Sequence, residues 1–220
     1  MHLRASLPLL TRRWLGYPCL GLLVALLGAC AAPGGSRSVV YDFGPGPIAP
    51  AVSNRMAPLP AVVLMDVEAS PALEGNAVLY RLAYADAQQL RPYAQARWAM
   101  PAAQLVRQRL REKLGQRRQV LQQPDAVAPG TLVLRLELEE FSHYFASAQN
   151  STGLVRARAT VSRTGSPARV LAQTSFVVQQ PAASADAAGG VQALAQASDG
   201  LITQLDTWLQ QVASADAAAP

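Results

Sequence analysis

From residue 61 onward the chain alternates between two hydrophobic periods. Val62 to Glu68 and Ala77 to Tyr84 carry apolar residues at every second position, and each run predicts a strand. On the first, Val63, Met65 and Val67 share a face. On the second, Val78, Tyr80, Leu82 and Tyr84 do. Ser70-Pro71 and Glu74-Gly75-Asn76 between them are turn signals. A brief third strand fits Ala96 to Ala99.

The period then changes. Pro101 suits the first position of a helix, and Ala102, Val106, Leu110 and Leu114 recur at i+4. This helix is predicted to end by about Gln122, before Pro124. Three period-2 runs follow. Leu132, Leu134, Leu136 and Leu138 form one face, and Val155, Ala157, Ala159 and Val161 another. Val170, Ala172, Thr174, Phe176 and Val178 form the third. Gly165-Ser166-Pro167 marks a hairpin between the last two. A second helix is predicted over Gly189 to Val212, with Val191, Leu194, Leu201, Ile202, Leu205 and Leu209 on its buried stripe. The pattern predicts an α+β two-layer domain: a mixed or antiparallel sheet of about five strands with two amphipathic helices on one face.

The first thirty residues have a different character. Arg12 and Arg13 precede an apolar run from Leu15 to Ala29. As a helix it would be about 22 Å long, short of the ~30 Å hydrocarbon core. It reads as a signal-peptide core rather than a membrane span. It ends in Leu27-Gly28-Ala29-Cys30, which resembles the bacterial lipobox, so Cys30 is the expected lipidated residue. The division is then a signal peptide at 1–29, lipidated Cys30 with a Pro/Gly/Ala tether at 30–60, a folded domain at 61–213 and a disordered tail at 214–220. At most a short strand fits Val39 to Phe43 within the tether.

Composition narrows the chemistry. Of 220 residues, 19 are Lys or Arg and 14 are Asp or Glu, a net charge of +5. Removing Arg4, Arg12 and Arg13 with the leader leaves 16 basic and 14 acidic groups, +2. That small excess argues against nucleic-acid binding. The two cysteines, Cys19 and Cys30, both fall in or beside the leader, so no disulfide framework is expected. Too few ligands exist for a Cys/His zinc site, and no Gly-x-Ser-x-Gly or phosphate loop occurs. His143, the one histidine beyond the leader, reads as a surface or strand-end residue. Glu137, Glu139 and Glu140 could suggest paired carboxylates, but cross-strand pairing with Arg156 or Arg158 is the plainer reading. Arg107, Arg109, Arg111, Lys113, Arg117 and Arg118 make the first helix basic. That helix is either a solvated face or a contact for anionic lipid headgroups or an acidic partner. No cofactor is implied, and the expectation is a non-enzyme.

Five segments carry a resemblance: Tyr41-Asp42-Phe43-Gly44-Pro45, Val78-Leu79-Tyr80-Arg81-Leu82, Tyr93-Ala94-Gln95-Ala96-Arg97-Trp98-Ala99, Pro101-Ala102-Ala103-Gln104-Leu105 and Trp208-Leu209. Together they resemble the ABC-type transport auxiliary lipoproteins, which include the PqiC-like lipoproteins. The chain departs from the family at Met100-Pro101, where two consecutive prolines are common. The resemblance implies a non-catalytic lipoprotein beside an ABC transporter or MCE-type machine that moves lipids or other apolar molecules between the two bacterial membranes. MCE-domain or ABC-transporter subunits are the implied partners, with a homo-oligomer as a further form. Arg97 and Trp98 match the family's most recognisable segment and, with Arg107 and Arg111, are the candidate binding residues. Trp98 also fits a core position. Ala31 directly after Cys30 favours sorting to the outer membrane, with the domain on its periplasmic face. The alternative is a structural envelope lipoprotein that binds peptidoglycan or an assembly complex.

Overall fold

The computed structural model describes residues 37–46, 59–122, 127–165 and 167–218. The leader, Cys30 and most of the tether lie outside the described residues.

One strand organises the sheet. The run of alternating leucines continues as β7, Leu132–Phe145, which is 14 residues long. Along one edge β7 pairs antiparallel with β8, Ser151–Arg163, and β8 pairs antiparallel with β9, Arg169–Pro181. Along its other edge three short strands take turns, all parallel to it. They are β2 (Val62–Leu64), β3 (Glu68–Ala69) and β4 (Ala77–Leu82). β4 pairs antiparallel with β5, Leu90–Trp98, and β5 pairs parallel with β1, Val39–Tyr41. β6, Val120–Leu121, pairs with β2. The sheet thus has nine strands among the described residues, not about five. The excess consists mainly of two- and three-residue strands, too short to show a period in sequence. β1, β3 and β6 are of this kind.

A bulge sets the phase of the core. Pairing with β8 shifts between Leu138 and Glu140, leaving Glu139 as the extra residue. Before it, Leu132, Leu134, Leu136 and Leu138 are buried. After it, Phe141, His143 and Phe145 are. A similar shift between Val161 and Ser162 changes the inward row of β9, so Val170, expected inside, is 65% exposed, and Leu171 packs against the core.

Two helices and the inner face of the sheet share one core. Helix α1 spans Ala102–Gly115 and buries Leu105, Val106, Leu110 and Leu114. It ends seven residues before Gln122, because Gly115 weakens the last turn and residues 120–121 pair with β2 instead. Helix α2 spans Ala187–Ala217. Asp186 caps it: its Oδ1 accepts from the Gly189 N–H at 2.8 Å, so the helix starts before the glycines. Its last turn includes Ser214–Ala217, within the segment expected as a tail. Asp216 there accepts from Arg163 of β8 and Arg169 of β9, which holds the helix end on the sheet.

Candidate functional site

Residues 39–46, within the span expected as a tether, are stitched into the domain. Ala99 N–H donates to the Tyr41 carbonyl at 2.7 Å, extending the β1–β5 pairing. Phe43 inserts its ring between Trp98, edge-on at 5.7 Å, and Phe141, stacked at 6.2 Å. Arg109 of α1, its side chain 7% exposed, donates from Nη2 to the Phe43 carbonyl at 2.6 Å. Its Nε lies 3.4 Å from Asp199 of α2. Gly44 and Gly46 adopt φ of +68° and +67°. At Gly46 a β-carbon would lie 2.2 Å from Arg109 Nη1, so glycine lets the chain cross the guanidinium. Between this strap and α2 lies an open groove of about 420 Å³. Val40, Tyr41 and Asp42 line one wall, and Ala188, Val191 and Gln192 the other.

The sequence-predicted residues divide sharply around the strap. Arg97 is exposed on β5, in register with Val40 of β1. Its neighbour Trp98 is 2% exposed and belongs to the core. Arg107 pairs with Asp66 at 3.1 Å. Arg111 lies against the Gln122 amide, whose oxygen accepts from Nη1 at 2.6 Å when turned toward it. Arg118 is buried and donates to Asp206 of α2 at 2.7 Å, and Arg117 lies 3.7 Å from the same carboxylate. Burial pulls the Arg118 pKa below its ordinary value, while the Asp206 carboxylate opposes that shift. Of the basic residues expected on the first helix, Arg109 of α1 and Arg117 and Arg118, which lie just past its end, are therefore held by α2 and the strap. Cys30, the expected lipidation site, lies outside the described residues.

His143 is a correction. It is fully buried, not a surface or strand-end residue, because the Glu139 bulge turns the later part of β7 inward. One ring nitrogen, Nδ1, is 2.8 Å from the Tyr93 hydroxyl of β5. The other, Nε2, is 2.8 Å from the Ser151 hydroxyl of β8. Both nitrogens are thus satisfied by neutral partners, one donating and one accepting. Burial lowers the imidazole pKa to about 4, only partly offset by Asp186 at the start of α2. Burial, with Tyr80 and Asp186 nearby, raises the Tyr93 hydroxyl well above its usual range. Ser151 beside a neutral His143 has the spacing of a nucleophile and its base. It is closed, however: Ser151 is 5% exposed, and a β-carbon at Gly190 would lie 2.3 Å from the ring.

Two carboxylates of β7 are paired across strands. Glu139 meets Arg158 at 2.7 Å, and Glu140 meets Arg81 at 3.0 Å. No cluster of three His, Cys, Asp or Glu residues that could hold a metal occurs among the described residues. No described helix is long and apolar enough to cross a membrane. Sequence reasoning missed Tyr93, Ser151, Arg109 and Asp186 as partners. Only Asp186 had a local signal, a cap residue three positions before Gly189 at a helix start.

A family model described as "ABC-type transport auxiliary lipoprotein component" matches residues 41–206, from the last residue of β1 to the Asp206 that holds Arg118. The chain belongs to this family. Protein XCC0632 from Xanthomonas campestris, assigned to DUF330, has a similar crystal structure. It shares 20% identity at a TM-score of 0.65, over 82% of this chain and all of that one. A second crystal structure, titled only as an uncharacterized protein, shares 14% identity at 0.57, over 79% of this chain and 99% of the other. Both show the fold. No curated protein matches the chain. Membership identifies an auxiliary, lipoprotein component of an ABC-type transport system. The strap starts the matched region.

Proposed function

We propose that this chain is a lipid-anchored, periplasm-facing accessory of an intermembrane transport system, held at the outer membrane through Cys30. It works beside ABC-transporter or MCE-domain subunits that move lipids or other apolar molecules, and it carries out no reaction itself. The observation that carries this reading is the strap. A tethered docking module must transmit tension from its anchor without unravelling. Here the first described strand is fixed by β5, by the Phe43 ring in the core and by the buried Arg109. From Cys30 to the first strand of the strap at Val39 is nine residues, which as a flexible tether reach about 15–18 Å at 5–6 Å × √n. Exposed Arg97, at the strap's edge, offers a polar contact to a partner, and exposed Arg111 on α1 offers another.

Deleting the gene tests the proposal. The expected result is greater sensitivity to detergents and membrane-active compounds, restored by the wild-type gene but not by Cys30→Ser. Unchanged detergent resistance and unchanged lipid asymmetry would contradict it and favour a structural envelope role.

A further inference from the structure

The strap meets the fold along one side only. β1 is a three-residue strand at the end of the sheet, and among the described residues it pairs with β5 alone. Its other side faces the open groove before α2, so nothing clamps it from there. Val39 and Val40 are 52% and 64% exposed and add little to the core. The ties are concentrated at the far end of the segment. They are the Ala99 N–H on the Tyr41 carbonyl, the Phe43 ring between Trp98 and Phe141, and the Arg109 guanidinium on the Phe43 carbonyl. Past that end come Gly44 and Gly46, both at positive φ. The turn into Gly44 is closed by the segment's own Asp42, whose Oδ1 accepts from the Gly44 N–H at 2.7 Å.

Detaching this segment strands no buried charge. Arg109 keeps Asp199, 3.4 Å from its Nε, and Glu112, 3.9 Å from its Nη1. The Phe43 carbonyl and the β1 backbone exchange their hydrogen bonds for bonds to water, with a small net change each. β5 stays paired with β4, and β4 with β7. What is lost is one half-buried ring, part of the Tyr41 packing and one short strand. Segments with so few buried ties open locally, well below the free energy of global unfolding. The end of α2 is built differently, since Asp216 takes arginines from two strands at once.

We propose that residues 39–46 are a releasable latch, with the Phe43 ring as its catch, that detaches as one unit while the rest of the domain stays folded. The strap carries load at rest and is the first element to yield. Its release lengthens the tether. Latched, nine residues separate Cys30 from Val39. Released as far as Gly46, sixteen do, and the average reach at 5–6 Å × √n grows to about 20–24 Å. Stretched, the seven added residues supply up to about 25 Å. The use of that added reach rests on the anchoring at Cys30 proposed above. The latch itself is a property of the fold and is tested without the lipid.

The test is native-state hydrogen exchange on the purified full chain carrying Cys19→Ser and Cys30→Ser. The Ala99 amide and those of residues 41–44 are expected to exchange through one shared opening. That exchange should run at least a hundredfold faster than at the β7 and β8 amides, and low urea should not change it. Phe43→Leu is expected to speed it about tenfold and leave β7 and β8 unchanged. Val40 and Arg97 are register partners on β1 and β5, so Val40→Cys with Arg97→Cys staples the latch shut. The oxidised staple is expected to slow the exchange at least tenfold, and reduction to restore it. Held by its two ends in an optical trap, the chain is expected to lengthen in a small reversible step before it unfolds. The oxidised staple should remove that step. Exchange at Ala99 and 41–44 that follows global unfolding in urea would overturn the proposal. So would a Phe43→Leu effect spread evenly over β7 and β8, or a first step that survives the staple. None of these readouts involves acylation, so a failed latch and a failed anchor are told apart.

Discussion

Gly190 of α2 lies against the imidazole of His143, so close that a β-carbon would sit 2.3 Å from Nδ1. The contact joins the first turn of the long helix to the inward end of the longest strand. The backbone at Gly190 cannot withdraw easily, because Asp186 caps the helix just before it. Gly153 of β8 makes a similar approach, its missing β-carbon 2.4 Å from the Ala193 backbone. We expect Gly190→Ala to destabilise the domain by about 2–3 kcal/mol through overpacking. The melting temperature should fall by roughly 5–10 °C. Gly115→Ala, with open space at its β-carbon, is the control and should be neutral or mildly stabilising.

The same histidine sets an acid limit. Its pKa is about 4 in the fold, against an ordinary 6.5. Between those values the unfolded chain binds a proton that the folded chain refuses. Stability therefore rises with pH across this window and is lost as pH falls from about 6.5 to 4. The slope approaches ~1.4 kcal/mol per pH unit at most. Urea unfolding at pH 4.5, 5.5, 6.5 and 7.5 should show this slope. His143→Gln should flatten it, while lowering stability at pH 7.5 through the lost packing with Phe145 and Tyr93.

How much of this was legible in the sequence depends on the range of each interaction. The leucines of β7, the alanine–valine face of β8 and the stripes of both helices carry their own period, so they declare themselves. β3 and β6 have two residues each and exist because β7 and β2 offer edges. Nothing local marks them. His143 was misplaced for a related reason. One extra residue at Glu139 inverts the inside-out pattern, and a bulge is visible only once β8 is laid beside β7. The Arg109–Phe43 bond spans 66 residues and has no signature in either segment.

Arg109 gives the strap its own prediction. Arg109→Met should leave the Phe43 carbonyl unpaired, at a cost of about 1–3 kcal/mol. The effect should be local first. Amide exchange at residues 41–44 and protease cleavage near Gly44–Gly46 should accelerate before global stability changes much. If exchange rises evenly over β7 and β8 instead, Arg109 supports the whole core and not the strap.

The proposed anchor at Cys30 is tested apart from folding. Cys30→Ser should yield a soluble or uncleaved chain with the same folded domain, and the wild-type mature chain should carry acyl mass on Cys30. Wild-type protein should co-fractionate with outer-membrane markers on a density gradient. A native mature chain without acyl mass, or one found with inner-membrane markers, would contradict the proposed placement.

The most direct test of the transport-accessory role is crosslinking in living cells. A photoreactive residue at Arg97, exposed beside the strap, reports what touches the domain in its envelope. The account predicts capture of an ABC-transporter or MCE-domain subunit, identified by mass spectrometry and reduced in the Cys30→Ser strain. Capture of peptidoglycan-bound or outer-membrane assembly components alone, with no transport subunit in any sample, would contradict it.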